Sequence, residues 1–224
     1  MNLFLKRFSI FLFLAVLVFF SGCQKKGLSS QKKDPLTVTH KVVVQTNEGN
    51  MTLALFGEGM PVTVKNFLEY VEGQFYDGLI FHRVIQNFVI QGGGFSPELV
   101  QKETKPAIKL EMAPFKEVVS ESGQKSKKLL ITHEKYALAM ARTRDPHSAT
   151  SQFYITLSPQ KQLDPNPEYN EPNGYAVFGK VIEGFEIVDK IGFVEVGQQK
   201  NHGGVPKVPV VIEKMFVLRE EEKK

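Results

Sequence analysis

Phe81-His82-Arg83-Val84-Ile85-Gln86-Asn87-Phe88-Val89-Ile90-Gln91-Gly92-Gly93-Gly94-Phe95 is the stretch on which the reading of the whole chain turns. It holds two short apolar runs of period two, joined at Gln86-Asn87 and closed by three glycines, the pattern of strand, turn and strand. Arg83 and Gln91 interrupt the apolar runs, and an arginine is almost never fully buried unless it is paired. Alternation places Phe81, Arg83 and Ile85 on one side of the first run, and Phe88 and Ile90 together in the second. A guanidinium, an amide and several large apolar groups thus meet on one wall. That composition suits a pocket that holds an apolar group and offers it a few strong donors. The residues leave another reading open, in which Arg83 is a surface strand residue whose stem covers apolar neighbours. The glycine triplet lacks the Lys-Ser/Thr of a phosphate-binding loop, so it reads as a bulge or tight bend.

Outward from this stretch, the chain reads as many short strands with two helices. His40 to Gln45 and Met51 to Phe56 are strand-like runs around a Gly-containing turn. Pro61 opens a helix where its missing N–H costs little, Val64, Phe67, Leu68 and Val71 form one apolar stripe, and Gly73 ends it. Residues 96 to 135, rich in Lys, Glu, Ser, Pro and Gly, read as a surface excursion. Gly184 to Ile191 is a second short helix. Lys207 to Leu218 is a last strand with Val210, Ile212, Phe216 and Leu218 on one side. Such an inventory argues a β-barrel or sandwich.

The 224 residues, 42% hydrophobic, suit one globular domain with appendages. Residues 1–22 have the layout of a secretory signal: Lys6-Arg7, then a mostly apolar run from Phe8 to Phe20, then Ser21-Gly22-Cys23. As a helix that run covers only about 20 Å, short of a bilayer core of about 30 Å. The single cysteine excludes an internal disulfide framework and any cysteine-based zinc site. Cys23 sits where bacterial lipoproteins are lipidated, although Phe20 stands where Leu is usual; residues 23–37 then form the lipidated cysteine and a flexible tether. Losing Lys6 and Arg7, with no acidic residue beside them, brings the formal charge of +4 to near +2. So small an excess, interspersed with Glu and Asp, gives no reason to expect nucleic acid. His40, His82, His133, His147 and His202 show no metal-ligand spacing, so no metal is expected. His82 is expected as a packed histidine pointing away from Arg83. Ser148 and Ser151 lie in no nucleophile-elbow context. Residues 220–224 read as a charged tail.

The segment from Phe81 to Phe95 resembles the signature of the cyclophilins, the peptidyl-prolyl cis/trans isomerases. Ala139-Met140-Ala141-Arg142-Thr143, Ser148 to Ile155, and Gly174 to Val181 follow in the family's order, in wording similar to its bacterial branch. The resemblance spans roughly residues 40 to 218 and implies an all-β fold with two capping helices, an eight-stranded antiparallel closed β-barrel, over residues 38–219. It implies Arg83 as the catalytic residue. Phe88, Val89, Tyr154 and Leu163 would line a proline pocket, Gln91 and Gln152 would hold the substrate backbone, and Ala141 and Arg142 would flank the groove. Tyr175 takes the place of an active-site histidine in a human member. Read from their residue types alone, Phe88, Tyr154 and Leu163 favour an ordinary core, and only the resemblance moves them to the pocket. Tyr154 replaces the usual Phe, adding a hydroxyl that needs a partner or water. Val89 replaces a common Met, and the family's pocket-edge tryptophan aligns near Gln162, which implies weak cyclosporin binding. The expected protein is a monomeric, cofactor-free isomerase of proline-containing polypeptides. It would be lipid-anchored in the bacterial envelope, with Gln24 a weak pointer to the outer membrane. The alternatives are a low-turnover proline-peptide chaperone and a surface interaction module on the same fold.

Overall fold

The computed structural model describes residues 33–166 and 174–219. The signal segment, Cys23, most of the tether, most of the loop 165–173 and the tail lie outside the described residues. The tether's last residues are ordered. Thr37 N–H donates to Asp34 O (3.0 Å), and Lys33 Nζ meets Glu58 (2.7 Å).

Strands β1 (His40–Thr46) and β2 (Gly49–Leu55) form the first hairpin, with Val42 opposite Leu53 and Val44 opposite Met51. Helix α1 (Pro61–Glu72) follows and ends at Gly73. Next come β3 (Phe81–Ile85) and β4 (Val89–Gly92), β5 (Phe115–Val119) and β6 (Lys125–Leu129), β7 (Ala137–Met140), β8 (Phe153–Thr156) and β9 (Val177–Glu183). Helix α2 (Phe185–Gly192), β10 (Val196–Gln199), β11 (His202–Pro206) and β12 (Ile212–Leu218) complete the chain. Eight strands make one antiparallel sheet in the order β12-β1-β2-β9-β7-β8-β4-β3, while β5-β6 and β10-β11 are separate hairpins. The expected strand number and pairing are present, but the sheet is a curled half-barrel rather than a ladder closed all round. Its edges, β3 and β12, approach where the segments leading into them share one isolated bridge, Ile80 to Val211.

Inside the curl, the apolar stripe of α1 supplies Phe67, fully buried against Phe153 (5.6 Å, edge-on), Phe178 (5.0 Å) and Tyr76 (5.5 Å). Truncating it to Ala would cost about 3–5 kcal/mol. Helix α1 packs on β12, and α2 on β2, β3 and β4.

Simple alternation fails at both edge strands, for one reason. In β3 the register slips between Phe81 and Arg83, so Phe81 turns inward onto Phe153 while Arg83 and Ile85 face out. In β12 two residues span Ile212 to Lys214 against one step of β1, so Met215 lies inside and Phe216 and Leu218 do not share the face of Val210 and Ile212. These are β-bulges, which concentrate at sheet edges and add the twist that bends an edge. The 96–135 excursion also holds more than loop. Its β5-β6 hairpin is exposed, but Ile131 and His133 are buried, at 3% and 1% exposure.

Candidate active site

A row of paired residues crosses the outer face of β3, β4, β8 and β7. Arg83 stands opposite Gln91, Gln91 opposite Tyr154, and Tyr154 opposite Ala139. The bulge in β3 is what turns Arg83 onto this row. Arg83 Nη1 donates to Gln91 Oε1 (3.2 Å), and Gln91 Nε2 donates to Gln152 Oε1 (3.0 Å). The relay fixes which way each amide points. Gly94 makes room for it, because a Cβ there would lie 2.6 Å from Gln152 Cγ. Among the described residues no carboxylate forms an ion pair with Arg83, whose guanidinium carbon lies 5.9 Å from the Phe88 ring centre. A charge held by a neutral amide keeps its field available to a ligand.

Phe88 is placed by the turn at Asn87, a residue of positive φ (57°) whose carbonyl accepts from Ser158 Oγ (2.6 Å) and Gln160 Nε2 (2.9 Å). Leu163 comes from a 3-10 turn, Lys161–Leu163, and its carbonyl accepts from Tyr175 N–H (3.1 Å). Arg142 is braced at the rim. Its Nε and Nη2 donate to Gly174 O (3.0 and 2.8 Å), and its guanidinium lies 4.4 Å from the Tyr175 ring centre. Together Arg83, Phe88, Val89, Gln91, Ala141, Arg142, Tyr154, Leu163 and Tyr175 line one cavity of about 270 Å³. Of the residues named from sequence, Gln152 alone is not on that wall. It is half-buried and touches that wall through its hydrogen bond with Gln91.

The residues 41–217 match the family model described as cyclophilin type peptidyl-prolyl cis-trans isomerase/CLD. The chain belongs to the cyclophilin family. It is 42% identical over 177 residues to peptidyl-prolyl cis-trans isomerase cyp18 of Streptomyces antibioticus, covering 79% of this chain and 98% of that protein. Peptidyl-prolyl cis-trans isomerase B of Escherichia coli K12 is 42% identical over 176 residues, with the same coverage. Among solved structures, a Cryptosporidium parvum cyclophilin type isomerase superposes with a TM-score of 0.63 at 25% identity, covering 81% of this chain and 99% of that one. The same protein was also crystallised in the presence of the dipeptide Ala-Pro, and that structure gives a TM-score of 0.62.

This cyclophilin departs from the family's wording at its pocket floor, and there the structure supplies residues that sequence reading missed. Tyr154, 4% exposed, places its hydroxyl 2.8 Å from His133 Nε2. His133 Nδ1 lies 2.6 Å from Asp164 Oδ1, which also accepts the His133 backbone N–H (2.8 Å). A carboxylate only accepts, so the Nδ1 proton belongs to the ring; in that neutral tautomer Nε2 accepts from the Tyr154 hydroxyl. Burial, with Tyr175 adding to it, holds the Tyr154 phenol well above its ordinary pKa, so it remains a donor. The one available clue was the hydroxyl itself: a buried phenol requires a partner. Ser151 Oγ donates to Gly93 O (2.8 Å), a structural bond. His82 is packed as expected, 4% exposed and 4.7 Å from the Phe95 ring, with burial, His202 and Arg83 lowering its pKa to about 4. Among the described residues no cluster of His, Cys, Asp or Glu is fit to hold a metal.

Proposed function

We propose that this cyclophilin catalyses cis/trans isomerisation of Xaa-Pro bonds, with Arg83 stabilising the twisted amide. The Xaa-Pro bond favours trans by only about 0.5–1 kcal/mol, yet about 18–20 kcal/mol separates the isomers because resonance must break. In the twisted state the proline nitrogen regains its lone pair. A guanidinium aimed at that nitrogen is worth more there than to either planar isomer, and only such a difference accelerates a reaction. Arginine suits the task because it stays charged and presents a rigid fork. The apolar walls of Phe88, Val89 and Leu163 would hold the ring, and removing the charge-separated planar amide from water assists. A five-decade acceleration requires about 7 kcal/mol, within reach of one charge-assisted bond plus positioning. No step needs a nucleophile or cofactor. The observation that carries this reading is Arg83, held by a neutral amide, at a cavity it shares with the apolar side chains of Phe88, Val89 and Leu163. A protease-coupled assay on an Ala-Pro peptide tests it: wild type turns over well above background and Arg83→Ala does not. Wild type at background leaves the binding-module reading, which the altered floor favours.

The sequence pattern at Ser21-Gly22-Cys23 supports a lipid anchor in the bacterial envelope, the outer membrane first, where uncatalysed proline isomerisation is slow enough to limit folding of exported chains. Cys23→Ser should abolish labelling by radioactive palmitate and release the protein from membranes. Gln162 at the rim spends its amide on Gln160 Oε1 (2.5 Å) and offers no indole, which supports weak cyclosporin binding. A nanomolar dissociation constant by titration would overturn that. The barrel is taken as closed through Phe81 N–H to Val210 O (2.9 Å) and Ile212 N–H to Leu79 O (2.7 Å), and the chain as monomeric, a mass that light scattering would read.

A further inference from the structure

The least expected feature beside the pocket is the buried line Asp164, His133, Tyr154. His133 is 1% exposed, and its ring plane lies 11° from that of Tyr154. Its two ring nitrogens are both engaged, Nδ1 with Asp164 at 2.6 Å and Nε2 with the Tyr154 hydroxyl at 2.8 Å. The backbone ties the same residue to the pocket rim, since Gln160 N–H donates to His133 O (2.7 Å) and Leu163 N–H to Gln160 O (2.9 Å). Asp164 immediately follows Leu163, a pocket wall. One imidazole thus joins the floor on β8 to the turn that carries the wall. It does so in a chain with no indole at position 162.

We propose that His133, oriented by Asp164, is a positioning residue for the isomerase reaction: it fixes the Tyr154 ring as a rigid floor and holds Leu163 against it. The physical reason is that an aromatic floor with one polar atom has a single low-energy setting only while that atom is bonded. With the bond made, the ring cannot tilt without leaving a buried hydroxyl and a buried imidazole nitrogen unpaired. A proline ring pressed against such a floor meets a fixed surface, so the nitrogen is presented to Arg83 at one distance. Substrate binding should be felt by His133 in return, through Tyr154. The inference rests on the isomerase reading for its rates, but its spectroscopic consequence requires only that proline peptides bind.

The test has two arms. In the first, kcat/KM on an Ala-Pro peptide is measured for Tyr154→Phe, His133→Leu, the double variant and His133→Gln, whose side-chain amide can reach the hydroxyl. Each of the first two leaves one polar atom orphaned and should lose about tenfold, while the double variant loses no more than the worse single and His133→Gln stays within about threefold of wild type. Losses that multiply in the double variant, or a His133→Gln as poor as His133→Leu, would overturn the proposal. In the second arm, the His133 Nδ1 proton of the wild-type protein is followed by NMR, where its short bond to a carboxylate places it far downfield. It should shift when a saturating Ala-Pro peptide is added; a resonance unmoved at saturation would equally overturn the proposal. Wild type without turnover would sink the proposed function alone, and the second arm would still decide this inference.

Discussion

Two buried histidines stand next to the pocket's key side chains and are held in opposite ways. His82 adjoins Arg83 in β3, packed on Phe95, and its Nδ1 finds no partner among the described residues. His133 lies against Tyr154 with both nitrogens bonded. Burial without a counter-charge strips His82 of its proton, and its pKa falls to about 4. That suits its place, since a second cation beside Arg83 would compete for the same field. The floor has the reverse arrangement, with a carboxylate supplied to orient the ring. A cationic wall is kept clean by exclusion, and a polar floor is kept rigid by satisfaction.

The comparison is broken most severely at the wall. Arg83→Lys keeps the charge but loses the fork held by Gln91, and kcat/KM on an Ala-Pro peptide should fall about a hundredfold or more. Acid is the next lever. Unfolded, His82 takes a proton near pH 6.5, but folded it resists until about 4. The associated stability is whole above pH 6.5, declines as pH falls through that window and is lost below about 4. The decline amounts to about 3 kcal/mol. Urea unfolding of His82→Leu at several pH values should lack that slope. On the floor, Asp164→Ala deprives His133 Nδ1 and the His133 backbone N–H of their shared acceptor and should cost about 1–3 kcal/mol, seen as a lowered urea midpoint with an unchanged slope. The smallest effect sharpens the rim: Gln162→Trp should tighten cyclosporin binding by about tenfold, read by calorimetry.

The wall was legible in the sequence because its parts are near neighbours, Arg83, Phe88 and Gln91 falling within nine positions of one hairpin. Helix α1 was legible for the same reason, its stripe being local. At the floor Tyr154 and its need for a partner were legible, but His133 and Asp164 were not, because the three come from separate segments and only the folded chain joins them. The inward and outward faces of β3 and β12 were misread at their bulges, which shift the period by one without marking the sequence. The β10-β11 hairpin, rich in Gly and Gln, carries no alternation to find, yet it lies over β3, where a Cβ on Gly204 would sit 2.8 Å from Val84 O.

The central claim is that the Arg83 guanidinium favours the twisted amide over both planar ones. Exchange NMR on an Ala-Pro peptide with saturating protein separates the cis/trans rate in the bound state from the affinity. Arg83→Ala should slow bound interconversion by about a hundredfold or more while the dissociation constant moves by only a few-fold. Equal bound rates in wild type and variant, with the whole loss in affinity, would contradict it.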